Sequence, residues 1–341
     1  MAGIDDANLA FVGAFIRLEG GQSLAIDRYL MPDIVITEFM DEAAGDRLRA
    51  IHDTHYDPAL VDAPEDLLNL AADARVLVVR NRTQVRGALL DGASKLSCVG
   101  RLGVGLDNID VSACKARDIE VIPATGANDL SVAEYVITSA MALLRTSYVG
   151  TASVVAGDWP RQAMVGRELA GKIMGLIGFG AIAREVAGRA LMMGMEVVAY
   201  DPHVPSTDPV WQHARNVSLD GVAALADVIS LHVPLTEGTR HMVDVKFLTA
   251  MKDDAIIINA ARGGVVDDAA LAYALSENMI GGAALDVFEV EPLTAEAGAK
   301  FAGLNNLIAT PHIAGVTVES NSRVSGLIAD KVLAHLEKAA S

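Results

Sequence analysis

The sequence predicts an α/β protein built from two doubly wound, parallel-sheet domains, and three observations predict it. Short apolar runs rich in Val, Ile and Leu alternate with amphipathic stretches along the chain, the pattern of parallel strands joined by crossover helices. The length, 341 residues, suits about two domains, each able to bury its own core. One apolar run opens directly into a glycine turn and then a helical pattern, Gly175-Leu176-Ile177-Gly178-Phe179-Gly180-Ala181-Ile182-Ala183.

Taken in order, residues 33–37, 76–79, 97–100 and 120–122 are short apolar runs and read as strands of a first sheet, with helices over 41–53 and 64–72 between them. Residues 130–156 carry small and apolar side chains on several faces and read as one long helix bridging the two sheets. Lys172-Ile173-Met174 leads the strand before the glycine turn, and 196–200, 228–231, 255–258, 283–285 and 307–309 continue the second series. Residues 318–338 read as a closing helix. The simplest arrangement is discontinuous: 1–125 begin one domain, 126–315 form the other, and 316–341 return to the first. The apolar stretch 8–16 follows Asp5 and Asp6, where a signal peptide would carry positive charge, so residues 1–30 read as an extension that packs on the body or frays.

Composition narrows the function classes. Hydrophobic residues make up 52% of the chain, too many for a disordered one, and aromatics only 4%, so the core is aliphatic. Lys and Arg number 27 against 44 Asp and Glu, a net charge of −17. Such a surface repels nucleic acid and anionic membrane, and an anionic ligand must find a local positive field. No apolar run reaches the roughly 18 residues needed to cross a bilayer. Cys98 and Cys114 have neither redox nor metal-ligand spacing, so no metal site is expected and a reducing cytoplasm fits.

The glycine turn has a chemical reading. A helix opening after a strand aims unpaired N–H groups and a positive dipole end at an anion. Gly178 permits the turn, Gly180 lets a pyrophosphate approach the backbone, and Ala183 keeps helix and strand close. The next strand ends in Asp201, 23 residues after Gly178 (201 − 178). An acid there suits the ribose 2′-hydroxyl of NAD and repels the phosphate of NADP; His203 follows, with no arginine beside it.

Three polar segments leave the tips of apolar strands in the last third: Asn259-Ala260-Ala261-Arg262-Gly263, Asp286-Val287-Phe288-Glu289-Val290-Glu291-Pro292 and Thr310-Pro311-His312-Ile313-Ala314. Ligands of such sheets bind at those tips, so an arginine, a carboxylate and a histidine would converge in a cleft between domains. Oxidising a 2-hydroxy acid needs a base near neutrality, a carboxylate to fix its tautomer, and a cation to grip the substrate carboxylate. His312, Glu291 and Arg262 supply the three, with Glu289 the rival for the carboxylate.

As a set, these motifs resemble the D-isomer-specific 2-hydroxyacid dehydrogenase family, phosphoglycerate dehydrogenase-like and of the short form, over about residues 33–334. The resemblance implies a Rossmann NAD-binding domain inserted into a flavodoxin-like substrate domain, with Arg262 as substrate anchor, Glu291 as partner and His312 as acid/base. It aligns Glu291, not Glu289, with the family's carboxylate. It implies cofactor contacts at Gly178, Gly180, Ala181, Ile182, Asp201, Val233, Pro234, Ala260, Ala261, Arg262, Asp286 and His312, with Asp286 facing the nicotinamide amide. On the substrate side it implies Arg80, Asn81, Arg101, Val104 and Gly105, the last two in the loop Gly103-Val104-Gly105-Leu106-Asp107-Asn108. Arg80 and Arg101 match arginines of members acting on 3-phosphoglycerate, so a 3-phosphoglycerate-like acid is the substrate the resemblance implies, with 3-sulfolactate, whose sulfonate the same pocket would take, as the alternative. A hydroxypyruvate or glyoxylate reductase would need no second anion site. The related formate dehydrogenase has glutamine where this chain has Glu291, and an NADH-sensing co-repressor is the reading of another class. The regulatory domain of some relatives is not expected. A homodimer through the helix that starts at residue 130 is implied, with Arg145 reaching the neighbouring cleft and Trp159 filling the interface.

Overall fold

The computed structural model describes residues 32–146 and 150–340; the expected N-terminal extension, 1–30, lies outside the described residues. The first sheet is built from β1 (Ile34–Ile36), β2 (Thr54–Tyr56), β3 (Val76–Val79), β4 (Cys98–Arg101) and β5 (Glu120–Pro123). The helices α1 (Glu42–Arg49), α2 (Pro64–Ala71), α3 (Gly87–Gly92) and α4 (Val111–Ala116) connect these strands. Its order is β2-β1-β3-β4-β5, all pairings parallel, the 2-1-3-4-5 order of flavodoxin-like sheets. Ile34, Val35, Ile36 and all of β3 have no exposed surface, because helices cover both faces. Each such side chain stabilises the fold by roughly 1.5–3 kcal/mol.

From β5 the chain enters α5 (Asp129–Arg145) and α6 (Thr151–Val155), then the second sheet. Its elements in chain order are β6 (Ile173–Ile177), α7 (Ala181–Met192), β7 (Glu196–Tyr200), β8 (Arg215–Asn216), α8 (Leu219–Leu225), β9 (Val228–Leu231) and α9 (Val245–Ala250). They continue with β10 (Ile256–Asn259), α10 (Asp268–Ser276), β11 (Gly282–Leu285), α11 (Ala295–Gly298) and β12 (Leu307–Ala309). The order β12-β11-β10-β9-β6-β7-β8 is the 3-2-1-4-5-6 order of Rossmann sheets with one added edge strand, again wholly parallel. The last helix, α12 (Val318–Ala340), returns to the first domain, where Val324, Ile328, Val332 and Leu336 join the core formed by Ile34, Ile36, Val78 and Cys98.

Each sheet changes its direction of growth once, between β1 and β3 and between β6 and β9. A crevice opens at the strand tips there. Glu38 and Arg80 follow the tips of β1 and β3; the glycine turn and Val233 follow β6 and β9. Both crevices contribute to the cleft between domains, where Arg262 of the second domain touches Asp107 of the first.

The structure corrects two expectations of extent. The helix expected over 130–156 is two helices, because Thr146 ends α5 in a left-handed conformation (φ 52°) and a second helix starts at Thr151. The helix expected over 41–53 stops at Arg49, and the chain then forms the edge strand β2. Both β2 and the two-residue β8 lack an apolar run, so neither announces itself in sequence. Among the described residues no helix is long and apolar enough to cross a membrane. No group of three or more His, Cys, Asp or Glu among them is arranged to hold a metal ion.

Candidate active site

The glycine turn is built to leave its space empty. Gly178 adopts φ +86°, and a Cβ there would lie 2.4 Å from the His232 carbonyl oxygen and 3.0 Å from Val233. Only glycine fits both the conformation and the approach. A Cβ on Gly180 would meet nothing within 4 Å, so the ground above the turn is open. Side chains cap α8, α9 and α10, from Ser218, Asp244 and Asp267, whereas α7 starts at Gly180 with no side-chain cap. Its first N–H groups, at Ala181 and Ile182, therefore lie at a positive dipole end beside open space. Asp201 sits next to the turn: its Oδ2 accepts the Phe179 N–H at 2.8 Å and its Oδ1 the His203 N–H at 2.9 Å. Pro234 is exposed beyond Val233, and Ala260 and Ala261 are half-buried at the tip of β10. The residues present fit a dinucleotide: a turn open to phosphate, an anion-seeking helix end and a ribose-side acid.

His312 and Glu291 meet. The imidazole Nδ1 lies 2.7 Å from Glu291 Oε2, and Glu291 Oε1 accepts the Phe288 N–H at 3.0 Å. A carboxylate only accepts, so Nδ1 carries the hydrogen and Nε2 is the atom left for a substrate. Burial opposes ionisation of Glu291. The hydrogen bonds from His312 and the Phe288 N–H outweigh it, with the charges of His312 and Arg262, and hold the carboxyl below its ordinary range. Glu289, the rival, turns elsewhere: its Oε1 meets His241 Nε2 at 2.7 Å.

The loop bearing His312 is pinned by Asp286, which was expected to face a cofactor amide. Asp286 is 1% exposed, and its carboxylate takes three donors from that loop. Its Oδ1 accepts Thr310 Oγ1 at 2.6 Å and the Ile313 N–H at 2.8 Å, and its Oδ2 the Ala314 N–H at 2.8 Å. The His312 N–H donates to the Asp286 carbonyl at 2.8 Å, and His312 itself is left-handed, φ +56°.

Arg262 bridges the domains. Asn259 braces its turn, accepting the Ala261 N–H and donating to the Arg262 carbonyl. The guanidinium Nε donates to Asp107 Oδ2 at 3.0 Å, and its head fills the space beside Gly105, where a Cβ would come within 1.9 Å of it. Val104, next to Gly105, is exposed.

A second cationic patch lies behind that loop. Arg101 is largely buried and its Nε has no partner. Burial, offset in part by Glu38 and reinforced by the charges of Arg262 and Arg80, pulls its pKa down to about 10. Arg80, half-buried, donates to Asn321 Oδ1 at 2.9 Å and sits over the Phe39 ring; burial lowers its pKa, against the pull of Glu38. Arg82 points away, to Asp62, and Asn81 is exposed beside the patch.

Sequence reasoning missed Glu38. It is 5% exposed and accepts the backbone N–H groups of Arg80, Arg82 and Thr83 at 2.9, 3.1 and 3.0 Å, while its charge favours the charged forms of Arg80 and Arg101. An acid at the tip of a strand beside the switch point was the available signal. Asn108 completes the frame, donating to the Thr83 and Arg80 carbonyls. Also missed were Tyr135, bonded to Thr310 at 2.7 Å, and the His241–Glu289 couple.

Comparison with known proteins adds the following. Residues 137–314 match the model of the D-isomer specific 2-hydroxyacid dehydrogenase NAD binding domain. The chain is 52% identical to an (S)-sulfolactate dehydrogenase of Chromohalobacter salexigens over 89% of its own length and 97% of the relative's. It is 43% identical to a hydroxypyruvate reductase of Thermotoga maritima, over 80% and 88% of the two chains. Among solved structures, a D-lactate dehydrogenase of Aquifex aeolicus in complex with NAD and lactic acid superposes with a TM-score of 0.78 at 28% identity, covering 89% and 96%.

Proposed function

This chain belongs to the D-isomer specific 2-hydroxyacid dehydrogenase family, and from that premise we propose that it interconverts a D-configured 2-hydroxy acid bearing an anionic group on C3 with its 2-keto acid. It is an NAD-dependent oxidoreductase. The preferred substrate is 3-sulfolactate, ahead of the 3-phosphoglycerate-like acid expected from the sequence; the 52% identity to an (S)-sulfolactate dehydrogenase favours that order. The observation that carries the anion on C3 is the cationic patch of Arg80 and Arg101, whose Arg101 Nε is buried and without a partner. A reductase of plain hydroxypyruvate or glyoxylate has no use for it. The (S) label of the sulfolactate relative agrees with D specificity: sulfur on C3 outranks the carboxylate, so the label reverses while the arrangement around C2 stays that of D-lactate.

NAD, when bound, accepts or returns the hydride at C2. In reduction, His312 holds the proton at Nε2 and gives it to the C2 oxygen; in oxidation it takes that proton back. Glu291 stabilises the imidazolium and fixes the ring. Arg262 grips the substrate carboxylate and polarises the C2 carbonyl. The N–H groups at Val104 and Gly105 take the other carboxylate oxygen, with Asn81 at the rim. Asp201 takes the adenosine ribose; Gly180, Ala181 and Ile182 the pyrophosphate; Val233, Pro234, Ala260 and Ala261 line the groove.

The test is a panel of 3-sulfopyruvate, 3-phosphohydroxypyruvate, hydroxypyruvate and glyoxylate, followed by NADH absorbance. The parent should show its highest kcat/KM on 3-sulfopyruvate. Arg101→Met should lower kcat/KM about 30-fold or more on the two substrates with a C3 anion, the worth of a charge-assisted hydrogen bond, and little on hydroxypyruvate. Equal losses on all four would contradict the subsite.

The domain limits 1–125, 126–315 and 316–341 are supported by the sheets, which end at Pro123 and Ala309, and by the return of α12. Two buried free cysteines suit a reducing compartment, and the cytoplasm is the proposed location. A homodimer is proposed through the far half of α5 and the segment after it. Met141, Leu144, Arg145 and Met193 line an open cavity of about 420 Å³ there, and Val155, Trp159, Val165 and Met192 nearby are exposed by more than 70% each. So much bare apolar surface is what a partner covers. Light scattering at micromolar concentration should return a dimer mass; a monomer would contradict it.

A further inference from the structure

We infer that Tyr135 is a positioning residue for the acid/base loop, holding His312 in place from helix α5 through Thr310 and Asp286. The inference rests on the reading of His312 as the proton carrier. Its geometry is a directed chain. Tyr135 Oη lies 2.7 Å from Thr310 Oγ1, and Thr310 Oγ1 lies 2.6 Å from Asp286 Oδ1. A carboxylate accepts, so the single Thr310 hydrogen goes to Asp286. The Tyr135 hydroxyl must then donate to Thr310. Burial, together with the charge of Asp286 and against the bonds to Thr310 and Ser139, raises the phenol pKa, so Tyr135 keeps the hydrogen it donates to Thr310. Each donor in such a chain polarises the next.

Asp286 hands the constraint on. The same Oδ1 holds the Ile313 N–H, Oδ2 holds the Ala314 N–H, and the Asp286 carbonyl holds the His312 N–H. These bonds keep a non-glycine residue, His312, in a left-handed conformation that its own preferences disfavour. Helix α5 grips the far side of the loop as well, through Ser131 Oγ and Thr317 Oγ1 at 3.1 Å. The loop is thereby anchored to α5 as well as to the strand beneath it, and Glu291 orients a ring whose backbone is already fixed.

Tyr135→Phe removes one hydroxyl and keeps the ring. It should lower kcat about tenfold, the rate change that one hydrogen bond converts to, with KM and the NADH Kd within about twofold of the parent. Thr310→Val should do the same or more, Thr310→Ser should retain parent kcat, and Tyr135→Phe/Thr310→Val should be no slower than Thr310→Val alone. Amide hydrogen exchange at Ile313 and Ala314 should speed up in Tyr135→Phe and Thr310→Val and stay slow in Thr310→Ser. A Tyr135→Phe enzyme with parent kcat and parent exchange, changed only in Tm, would reduce Tyr135 to core packing and overturn the inference. The exchange arm decides even if the parent reduces no keto acid, in which case the proton-carrier reading fails separately.

Discussion

Replacing His312 by asparagine is expected to lower kcat by about three orders of magnitude, while NADH binds with nearly its parent Kd. Asparagine fills much of the same space and can still donate to Glu291, so the loop pinned by Asp286 should persist. What it lacks is a proton it can give and recover near neutrality. The hydride cannot reach C2 of the keto acid without leaving an alkoxide unless a proton arrives at the oxygen. The prediction is therefore a loss in kcat rather than in binding. A variant within about fivefold of the parent would remove His312 from the chemistry.

The second large effect belongs to Arg262. Arg262→Lys keeps the charge but loses the planar fork. Its Nε is already engaged with Asp107, and a lysine cannot hold Asp107 and grip a carboxylate with parallel N–H groups. We expect kcat/KM to fall by about two orders of magnitude in Arg262→Lys and further in Arg262→Ala, with part of the Arg262→Ala loss restored by added guanidinium. Asp107→Asn serves as control: Asp107 is largely exposed, so loss of that pair alone should cost less than tenfold, about 1 kcal/mol. Parent-like kcat/KM in Arg262→Lys would mean that the arginine serves the domain contact and not the substrate.

Much of the fold was legible because its strands are buried on both faces. Ile34-Val35-Ile36, Val76-Leu77-Val78-Val79 and Ile256-Ile257-Ile258 have to be continuous apolar runs, and such runs are visible without an alignment. The glycine turn was legible for a related reason: a close approach to His232 tolerates no side chain, so the chemistry is written in one residue type. The elements that escaped carry no such constraint. β2 and β8 lie at sheet edges and pair through backbone groups that any sequence supplies. The end of α5 at Thr146 is a backbone event at an ordinary residue. Within the site, Arg262, Glu291 and His312 could be named because each follows a strand tip. The choice between Glu289 and Glu291 could not be made from local pattern, since both flank the same turn; the bonds to His241 and His312 separate them. Glu38, Tyr135 and the buried role of Asp286 depend on partners far along the chain, and a single sequence does not print such pairings.

The account turns on His312 as a proton carrier backed by an ionised Glu291, and kcat/KM of Glu291→Gln for keto-acid reduction at neutral pH, measured beside its NADH Kd, tests that most directly. Reduction needs a proton at Nε2 of a ring that Glu291 holds through Nδ1. The bonds from His312 and the Phe288 N–H hold the Glu291 carboxyl below its ordinary range, so it is ionised at neutral pH. In Glu291→Gln that charge is gone, and kcat/KM should fall about tenfold or more with the NADH Kd within about twofold of the parent. Parent kcat/KM in Glu291→Gln would contradict the pairing and the proton-transfer role built on it.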